Sequence, residues 1–371
     1  MSGTVRARVL LAAAVGSLAL GCTSTDSAST GATPAADENG AGLSTRVGSE
    51  PAPLPDTVFS VLGPWNTFAD DRGVHPRSTG LLREVALGLR PGEDALLIQT
   101  WGRSVPVVTD GEPTVVRCRQ ARCGDGAGEL LLDLPTDVDP DPRYDGWYTV
   151  VDVAERTVRD LRRARREDDG SISYELMREW DLDGPGFQQP YGVGARGSGL
   201  PLLGGLIRRD ELDRGAVEHA LAISLPGTAS GSFLQPASST DGTGAASSLP
   251  QGARIYLRPA FRLTRPVDPA TGRPQEWTPE VQLRAMLLVR ALKTYGAVVV
   301  DEAPVPTLYA ERTEAGQAPL LGGDELSGIG LDDFLVVDFD PEDRLAYPAD
   351  DLTDEPTDGP TDGPTDDGDT R

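Results

Sequence analysis

Two histidines are the side chains of this sequence best suited to proton transfer near neutral pH. His75 precedes Pro76, which favours an extended loop, and we expect it to be exposed. His219 lies in the segment AVEHALAIS, where we expect it to share the buried face of a strand with Val217 and Leu221. Such a histidine is either a hydrogen-bonded part of the core or the floor of a cleft, where burial adjusts its pKa for acid–base work.

The sequence lacks the common motifs of nucleophilic and metal-dependent hydrolysis. No serine has glycines two residues away on both sides, as a nucleophile elbow requires, and the H-E-x-x-H and P-loop patterns are absent. Carboxylates are too numerous to single out a glycosidase pair, because the separation of such a pair is set in space and not along the chain. These patterns therefore predict no enzyme class.

Residues 192–197 read GVGARG and match the letters of the dinucleotide-binding pattern G-x-G-x-x-G. That pattern cradles phosphate only between a strand and a helix. Here WDLDGPGFQQPY precedes it and SGLPLLGG follows it, and their prolines and glycines favour loops on both sides. We therefore expect a loop that binds no dinucleotide, forms the wall of any site and exposes Arg196.

Two features of the middle of the chain bear on disulfide bonds and metals. Cys118 and Cys123 can close a small hairpin loop by a disulfide bond in an oxidising compartment, and C-x4-C lacks the second ligand pair of a metal site. Alternate aspartates can wrap calcium, but the EF-hand pattern fails at Pro142 and Tyr148. We expect no metal or other cofactor, with calcium as the lesser alternative at Asp137, Asp139 and Asp141.

The formal net charge of −24 argues against nucleic acid as a partner. Phosphate binding requires a net basic face, and the arginines of this chain lie among acids. The one basic cluster, LRRARRE at 161–167, is interpreted as a solvent-facing strand or hairpin end.

Residues 1–22 have the pattern of a bacterial lipoprotein signal peptide. Arg6 and Arg8 precede an apolar run that is shorter than the ~20 residues of a membrane-spanning helix. The run ends in Ala-Leu-Gly-Cys, which resembles a lipobox and predicts lipidation of Cys22, with an ordinary secretory signal as the alternative. The lipid would anchor an extracytoplasmic protein to the bacterial cell membrane.

Residues 23–55 and 348–371 have the composition of disordered chain. The first segment has almost no large apolar side chain, cannot offset the entropy of ordering, and is expected to be a flexible tether. The second repeats Pro-Thr-Asp-Gly and is expected to be an acidic, solvated tail. Residues 56–347 are expected to form a single β-rich domain.

The middle of the chain consists mainly of short β-rich segments between turn signals, such as ALLIQT, WYTVVDV and AVVVDE. PEVQLRAMLLVRALKTY, at 279–295, instead predicts an amphipathic helix, with Thr278 as N-cap, Pro279 first and Gly296 at the end. Because strands do not alternate with helices, we predict a mainly β (α+β) fold, an antiparallel β-sandwich or distorted barrel with this one main helix. Residues 238–250 are expected to form a surface loop.

Several blocks together resemble a broad, largely uncharacterised family of exported bacterial β-rich proteins. The distinctive blocks are GLP…GLIRRDE from Gly199, EHAL around His219, and LKTYG at the end of the predicted helix. The resemblance covers most of residues 64–338. Because members are often attached to carbohydrate-binding or adhesion-type modules, the resemblance implies a β-rich fold and a weak association with the envelope or polysaccharide.

The resemblance also implies a polar site from which this chain departs. Family members have polar residues, including histidines, near the positions of Trp147 and Ser239, and an Asp-Asn-Gly-like turn where this chain has DEA at 301–303. The polar residues that remain, and so the candidate catalytic residues, are His75, Asp145, Arg208, Asp210 and His219.

Two functions are consistent with these patterns. The first is a membrane-anchored surface lipoprotein whose β-rich domain binds or organises envelope or extracellular glycan. The alternative is a polysaccharide hydrolase or lyase, with a partly degenerate site, in which His219 acts as acid or base near Asp145 and Arg208. The partners expected are the membrane, through Cys22, and a glycan or cell-wall polymer.

Overall fold

A computed structural model describes residues 53–347, except residues 103 and 269. Within them, strands predominate over helices, which confirms the predicted mainly β (α+β) class with one main helix. The predicted signal peptide with Cys22, almost all of the predicted tether and the acidic tail lie outside the described residues. None of the described helices is long and apolar enough to cross a membrane.

The helices of the described residues are short apart from the third. They are α1 (Ser78–Val85), α2 (Arg209–Arg214) and α3 (Pro279–Thr294), with 3-10 helices at Asp70–Arg72, Leu331–Asp333 and Pro341–Asp343. The strands are β1 (Leu97–Gln99), β2 (Val107–Val108), β3 (Glu112–Cys118), β4 (Glu129–Leu134), β5 (Tyr148–Asp152), β6 (Thr157–Arg162), β7 (Arg165–Arg166), β8 (Ile172–Tyr174), β9 (Leu176–Asp181), β10 (Leu221–Leu225), β11 (Ser232–Leu234), β12 (Arg254–Leu257), β13 (Ala297–Glu302), β14 (Thr307–Tyr309), β15 (Phe334–Val336) and β16 (Arg344–Ala346).

A six-stranded mixed sheet, in the order β1-β14-β10-β13-β12-β15, positions the site. Its two central strands, β10 and β13, are apolar along most of their length and almost wholly buried, and they pair in parallel. Such continuous apolar runs are typical of strands covered on both faces. The pair is parallel because the chain between the two strands includes α3, which makes the crossover that a parallel pair requires. The sheet is therefore mixed, where the sequence led us to expect antiparallel pairing.

Helix α3 packs on this sheet through β12. The Thr278 Oγ1 accepts a hydrogen bond from the Val281 N–H at 3.2 Å, which satisfies one free donor of the first turn. Ala285, Leu288 and Leu292 are buried, as the periodicity predicts. The helix ends before Gly296, whose φ of 73° lies in the left-handed region that glycine adopts without strain.

Two four-stranded sheets, β2-β5-β6-β9 and β4-β3-β8-β7, consist of strands from the amino-terminal half of the described chain. Cys118, at the end of β3, is joined to Cys123 by a disulfide bond. The basic cluster at 161–167 runs from the end of β6 into β7, so it lies at a strand end with a turn, as the sequence indicates. The fourth sheet of the described residues has two strands, β11 and β16.

Candidate functional site

A cleft of about 720 Å³ opens at the end of β13. Its walls include β1, β14, the glycine-rich loop at 193–197 and residues 239–241 of the predicted surface loop. A shift in the pairing register of β10 with β13 places Asp301 opposite Ser224. Irregularities of this kind re-aim a side chain near a site, and here they bring Asp301 to the cleft.

Asp301 and Asp241 form an acidic pair at the cleft. Their carboxyl groups lie close to each other, because both approach Gly197. Burial and the Asp241 charge raise the pKa of Asp301 well above its usual value, although Arg196 and the Gly197 N–H favour the ionised form. Asp301 is therefore more readily protonated than an ordinary aspartate.

Asp241 is held in place from two sides. The Gln251 Nε2 group, on a fully buried side chain, donates a hydrogen bond to the Asp241 Oδ1. On the other side, the Asp241 carboxyl group packs against Gly197, where a Cβ atom would lie 2.2 Å from the Asp241 Cγ. The Gly197 N–H in turn donates to the Asp301 Oδ1 at 3.2 Å. The glycine therefore permits the close approach of the two carboxyl groups.

Arg196 is buried below the cleft, so the expectation that it is exposed is wrong. Its guanidinium carbon lies 4.8 Å from the ring centroid of Tyr309 and 5.6 Å from that of Trp147. The Nη2 group donates to the Leu202 carbonyl at 3.0 Å, whereas Nε and Nη1 have no hydrogen-bond partner. Two aromatic faces therefore cover the charge and explain its burial.

Asp160 is a second carboxyl group near Arg196, and it accepts more hydrogen bonds than Asp301 does. Its oxygens accept hydrogen bonds from the Thr149 hydroxyl at 3.0 Å, the Trp180 indole at 2.8 Å and the Leu202 N–H at 2.8 Å. Burial nevertheless raises the pKa of Asp160 to about 6, with the three donors and Arg196 opposing the shift. Asp301 and Asp160 therefore both lie near the Arg196 charge, and Asp160 accepts more hydrogen bonds from other groups.

Aromatic side chains form the rest of the binding surface. Trp101 lies in the cleft with 52% of its surface exposed, and Tyr347 lines another part. The Tyr309 hydroxyl lies 2.7 Å from the Ser224 Oγ, and burial raises the pKa of Tyr309, with the charges of Asp301 and Asp145 adding to the shift. The cleft thus combines an exposed indole with acidic and hydroxyl groups.

The candidate residues His219, Arg208 and Asp210 meet at α2 and do not line this cleft. The His219 Nε2 lies 3.0 Å from the Oε1 of Glu211, and the Arg208 Nη2 lies 3.1 Å from the same oxygen. Arg208 also binds Asp210 at 3.1 Å. The strand predicted for His219 begins only at Leu221. Because Glu211 is fully buried, this cluster has the character of a structural ion-pair network.

His75 lies apart from both groups, and it is buried where we expected exposure. Its ring stacks on Phe339 with 4.5 Å between centroids, and its Nδ1 accepts a hydrogen bond from the Arg77 N–H at 3.0 Å. Burial lowers the pKa of His75, with Asp338 opposing the shift. Of the five candidates, only Asp145 lies in the cleft, with its side chain exposed.

Two of the three aspartates considered for calcium form ion pairs with arginines. Asp139 pairs with Arg166, and Asp141 binds Arg143 at 2.7 Å. The described residues contain no cluster of three side chains that could hold a metal ion. The lesser alternative of a calcium site at Asp137, Asp139 and Asp141 is therefore not supported.

The loop at 238–250 contributes directly to the cleft, so the expectation of a surface loop is wrong for part of its length. Ser239 and Ser248 are buried, and the Ser239 hydroxyl donates to the Gly197 carbonyl at 2.7 Å. Trp147, Ser239 and residues 301–303, which were interpreted from the sequence as places where a polar site is lost, all line the cleft. That interpretation did not single out Asp241 or Asp301.

Comparisons with protein-family models, curated proteins and solved structures find no match. The chemistry of the cleft is therefore the basis for assigning a function.

Proposed function

We propose that this protein is a membrane-anchored surface lipoprotein whose β-rich domain binds envelope or extracellular glycan in the cleft at the end of β13. The observation that carries the proposal is the exposed indole of Trp101 in the same cleft as the carboxyl groups of Asp241 and Asp301. Aromatic rings offer a flat apolar surface to the C–H face of a sugar, while carboxyl groups bind its hydroxyls.

The charges of the cleft favour a neutral glycan. Its described lining contains four carboxyl groups and two arginines, of which Arg196 is buried beneath aromatic rings. Glu302 accepts hydrogen bonds from the Thr228 hydroxyl at 2.7 Å and from the Thr243 N–H at 2.8 Å, which fixes another acidic group at the wall. A polyanionic polymer would meet like charge there, whereas sugar hydroxyls would find hydrogen-bond acceptors.

The membrane anchor rests on the lipobox that ends at Cys22. Growth with a clickable palmitate analogue should label the wild-type protein, and Cys22→Ala should remove the label and release the protein into the medium. Labelling of the Cys22→Ala variant to the wild-type level would contradict the anchor.

The glycan proposal is tested by binding of the purified protein, in mild detergent, to an array of neutral and acidic polysaccharides. We expect retention on neutral glycans and a loss of at least 10-fold in affinity for Trp101→Ala. Phe68→Ala is the matched control, because Phe68 is 53% exposed and does not line the cleft. Equal losses in both variants, or no retention of the wild type on any glycan, would contradict the proposal.

A further inference from the structure

The cleft contains buried polar groups that the fold leaves with few hydrogen-bond partners. The Arg196 Nε and Nη1 groups have no hydrogen-bond partner, although Arg196 is buried, lines the cleft and lies near Asp301. Asp160, which also lies near Arg196, accepts three hydrogen bonds from the surrounding fold. Asp301, by contrast, accepts a single hydrogen bond, from the Gly197 N–H. A carboxyl group in a cleft with few hydrogen-bond partners and a raised pKa is typical of an acid–base site.

A second, separate carboxylate faces the same cleft. Asp145 precedes β5, is exposed, and lies close enough to the Tyr309 hydroxyl for its charge to contribute to the raised pKa of Tyr309, as does the charge of Asp301. The cleft is therefore lined by one buried and one exposed carboxyl group. Pairs of carboxyl groups in unlike environments divide the acid and base roles in glycoside hydrolysis.

We propose that the cleft hydrolyses a glycosidic bond of the glycan that it binds, with Asp301 as proton donor and Asp145 as proton acceptor. The inference rests on the proposed glycan-binding function and assigns chemistry to the same cleft.

The reaction consumes one water and needs no further reactant. Asp301 gives its proton to the glycosidic oxygen as the bond from that oxygen to the anomeric carbon breaks, and the bonding electrons stay on the oxygen. Water adds to the anomeric carbon and loses a proton to Asp145. Exchange with solvent then returns a proton to Asp301 and removes one from Asp145.

Asp241 is a positioning residue in this reaction. Burial, and after it the negative charge of Asp241, raise the pKa of Asp301, and the place of Asp241 is set by Gln251 and by the close approach to Gly197. Replacing Asp241 by asparagine removes that charge, so Asp301 should ionise at lower pH. The alkaline limb of the rate profile should then move to lower pH, which a merely structural role would not produce.

The test measures the release of reducing ends from neutral glucan, mannan and xylan by the purified protein, with binding followed separately by affinity electrophoresis. We expect Asp301→Asn and Asp145→Asn each to lower kcat at least 100-fold while binding changes less than threefold. Asp210→Asn is the control, because Asp210 lies outside the cleft at α2. If the Asp301→Asn chain does not fold, the pH profile of Asp241→Asn carries the test.

The outcomes separate the two proposals. Retention of a glycan without release of reducing ends would overturn hydrolysis and leave glycan binding standing. Turnover that persists at the wild-type rate in Asp301→Asn, or an unshifted profile in Asp241→Asn, would overturn the roles assigned here. Failure of the wild type to bind any glycan would overturn both.

Discussion

The guanidinium of Arg196 lies against the ring of Tyr309, 4.8 Å from its centroid, and the hydroxyl of that ring lies 2.7 Å from Ser224 on β10. A single aromatic side chain thus connects a buried cation of the glycine-rich loop to the central sheet. Burial lowers the pKa of Arg196, and the nearby Tyr309, Asp301 and Asp160 oppose that shift. The loop that forms the wall of the cleft is consequently fixed to the core.

Replacing Arg196 by methionine should destabilise the protein. The change removes the cation that lies near Asp160 and Asp301 and leaves their carboxyl groups buried without it, which costs about 3 kcal/mol in comparable sites. Urea denaturation followed by tryptophan fluorescence measures the free energy of unfolding. Arg156→Met is the control, because the Arg156–Asp183 pair is exposed and should leave the midpoint unchanged. An unchanged midpoint for Arg196→Met would show that the cation is dispensable.

Stability should fall as pH rises through the range in which Asp301 ionises. Its pKa is raised in the folded state by burial and by Asp241, so the native protein binds more protons than the unfolded chain between the usual and the raised value. The contribution of Asp301 is therefore fully present below its unfolded pKa and is lost as pH rises through the folded pKa. Asp160, with a pKa of about 6, acts in the same direction between about pH 4 and 6.

The check is the free energy of unfolding of wild type and Asp301→Asn at a series of pH values. The wild-type curve should decline more steeply with rising pH than that of the variant. Parallel curves would mean that Asp301 does not titrate differently on folding.

Gly197→Ala should disrupt the acidic pair while leaving the fold intact. The added Cβ would lie 2.2 Å from the Asp241 Cγ, so the Asp241 side chain must move away from Asp301. We expect at least a 10-fold loss of glycan hydrolysis. Gly80→Ala is the contrasting change, because Gly80 lies in α1 with no atom within 4 Å of the added Cβ, and it should raise stability by about 0.5–1 kcal/mol. Full activity in Gly197→Ala would refute the importance of the close approach.

His219→Ala should reduce stability and leave the cleft unaffected. It removes the imidazole that lies 3.0 Å from the fully buried Glu211 carboxylate, at a cost of about 2 kcal/mol. A double-mutant cycle with Glu211→Gln measures the coupling of the pair, and affinity electrophoresis measures glycan binding. Loss of binding or turnover without loss of stability would instead place His219 in the site.

The elements that the sequence predicted well are those with local signals. β13 has an apolar run that is long enough to identify as a strand. α3 has an apolar stripe with the helical period, with caps at Thr278 and Gly296. α1 escaped prediction because eight residues give too few repeats of the helical period. Whether two strands pair in parallel depends on which distant strands meet, and no local pattern in the sequence contains that information.

The site was harder to predict for a related reason. Asp241 and Asp301 are two of 58 acidic residues, and nothing in their neighbours distinguishes them. Their pairing depends on a loop that folds back over the sheet and on a glycine 44 positions before Asp241. Arg196 was expected at the surface because an arginine in a glycine-rich loop usually reaches solvent, whereas Trp147 and Tyr309, which cover it, come from remote strands and loops.

The pairing of β1 with β14 has a consequence for how the protein is made. Leu97 aligns with Thr307, so the edge of the central sheet joins segments about 210 residues apart. As the chain emerges from the ribosome, β1 has no partner until most of the polypeptide has been synthesised. Contacts this distant close slowly, which keeps the nascent chain open for a long interval. Under the proposed export, such a delay suits a polypeptide that must cross a membrane before it folds, and a product terminated before β13 lacks the two strands that pair with β10.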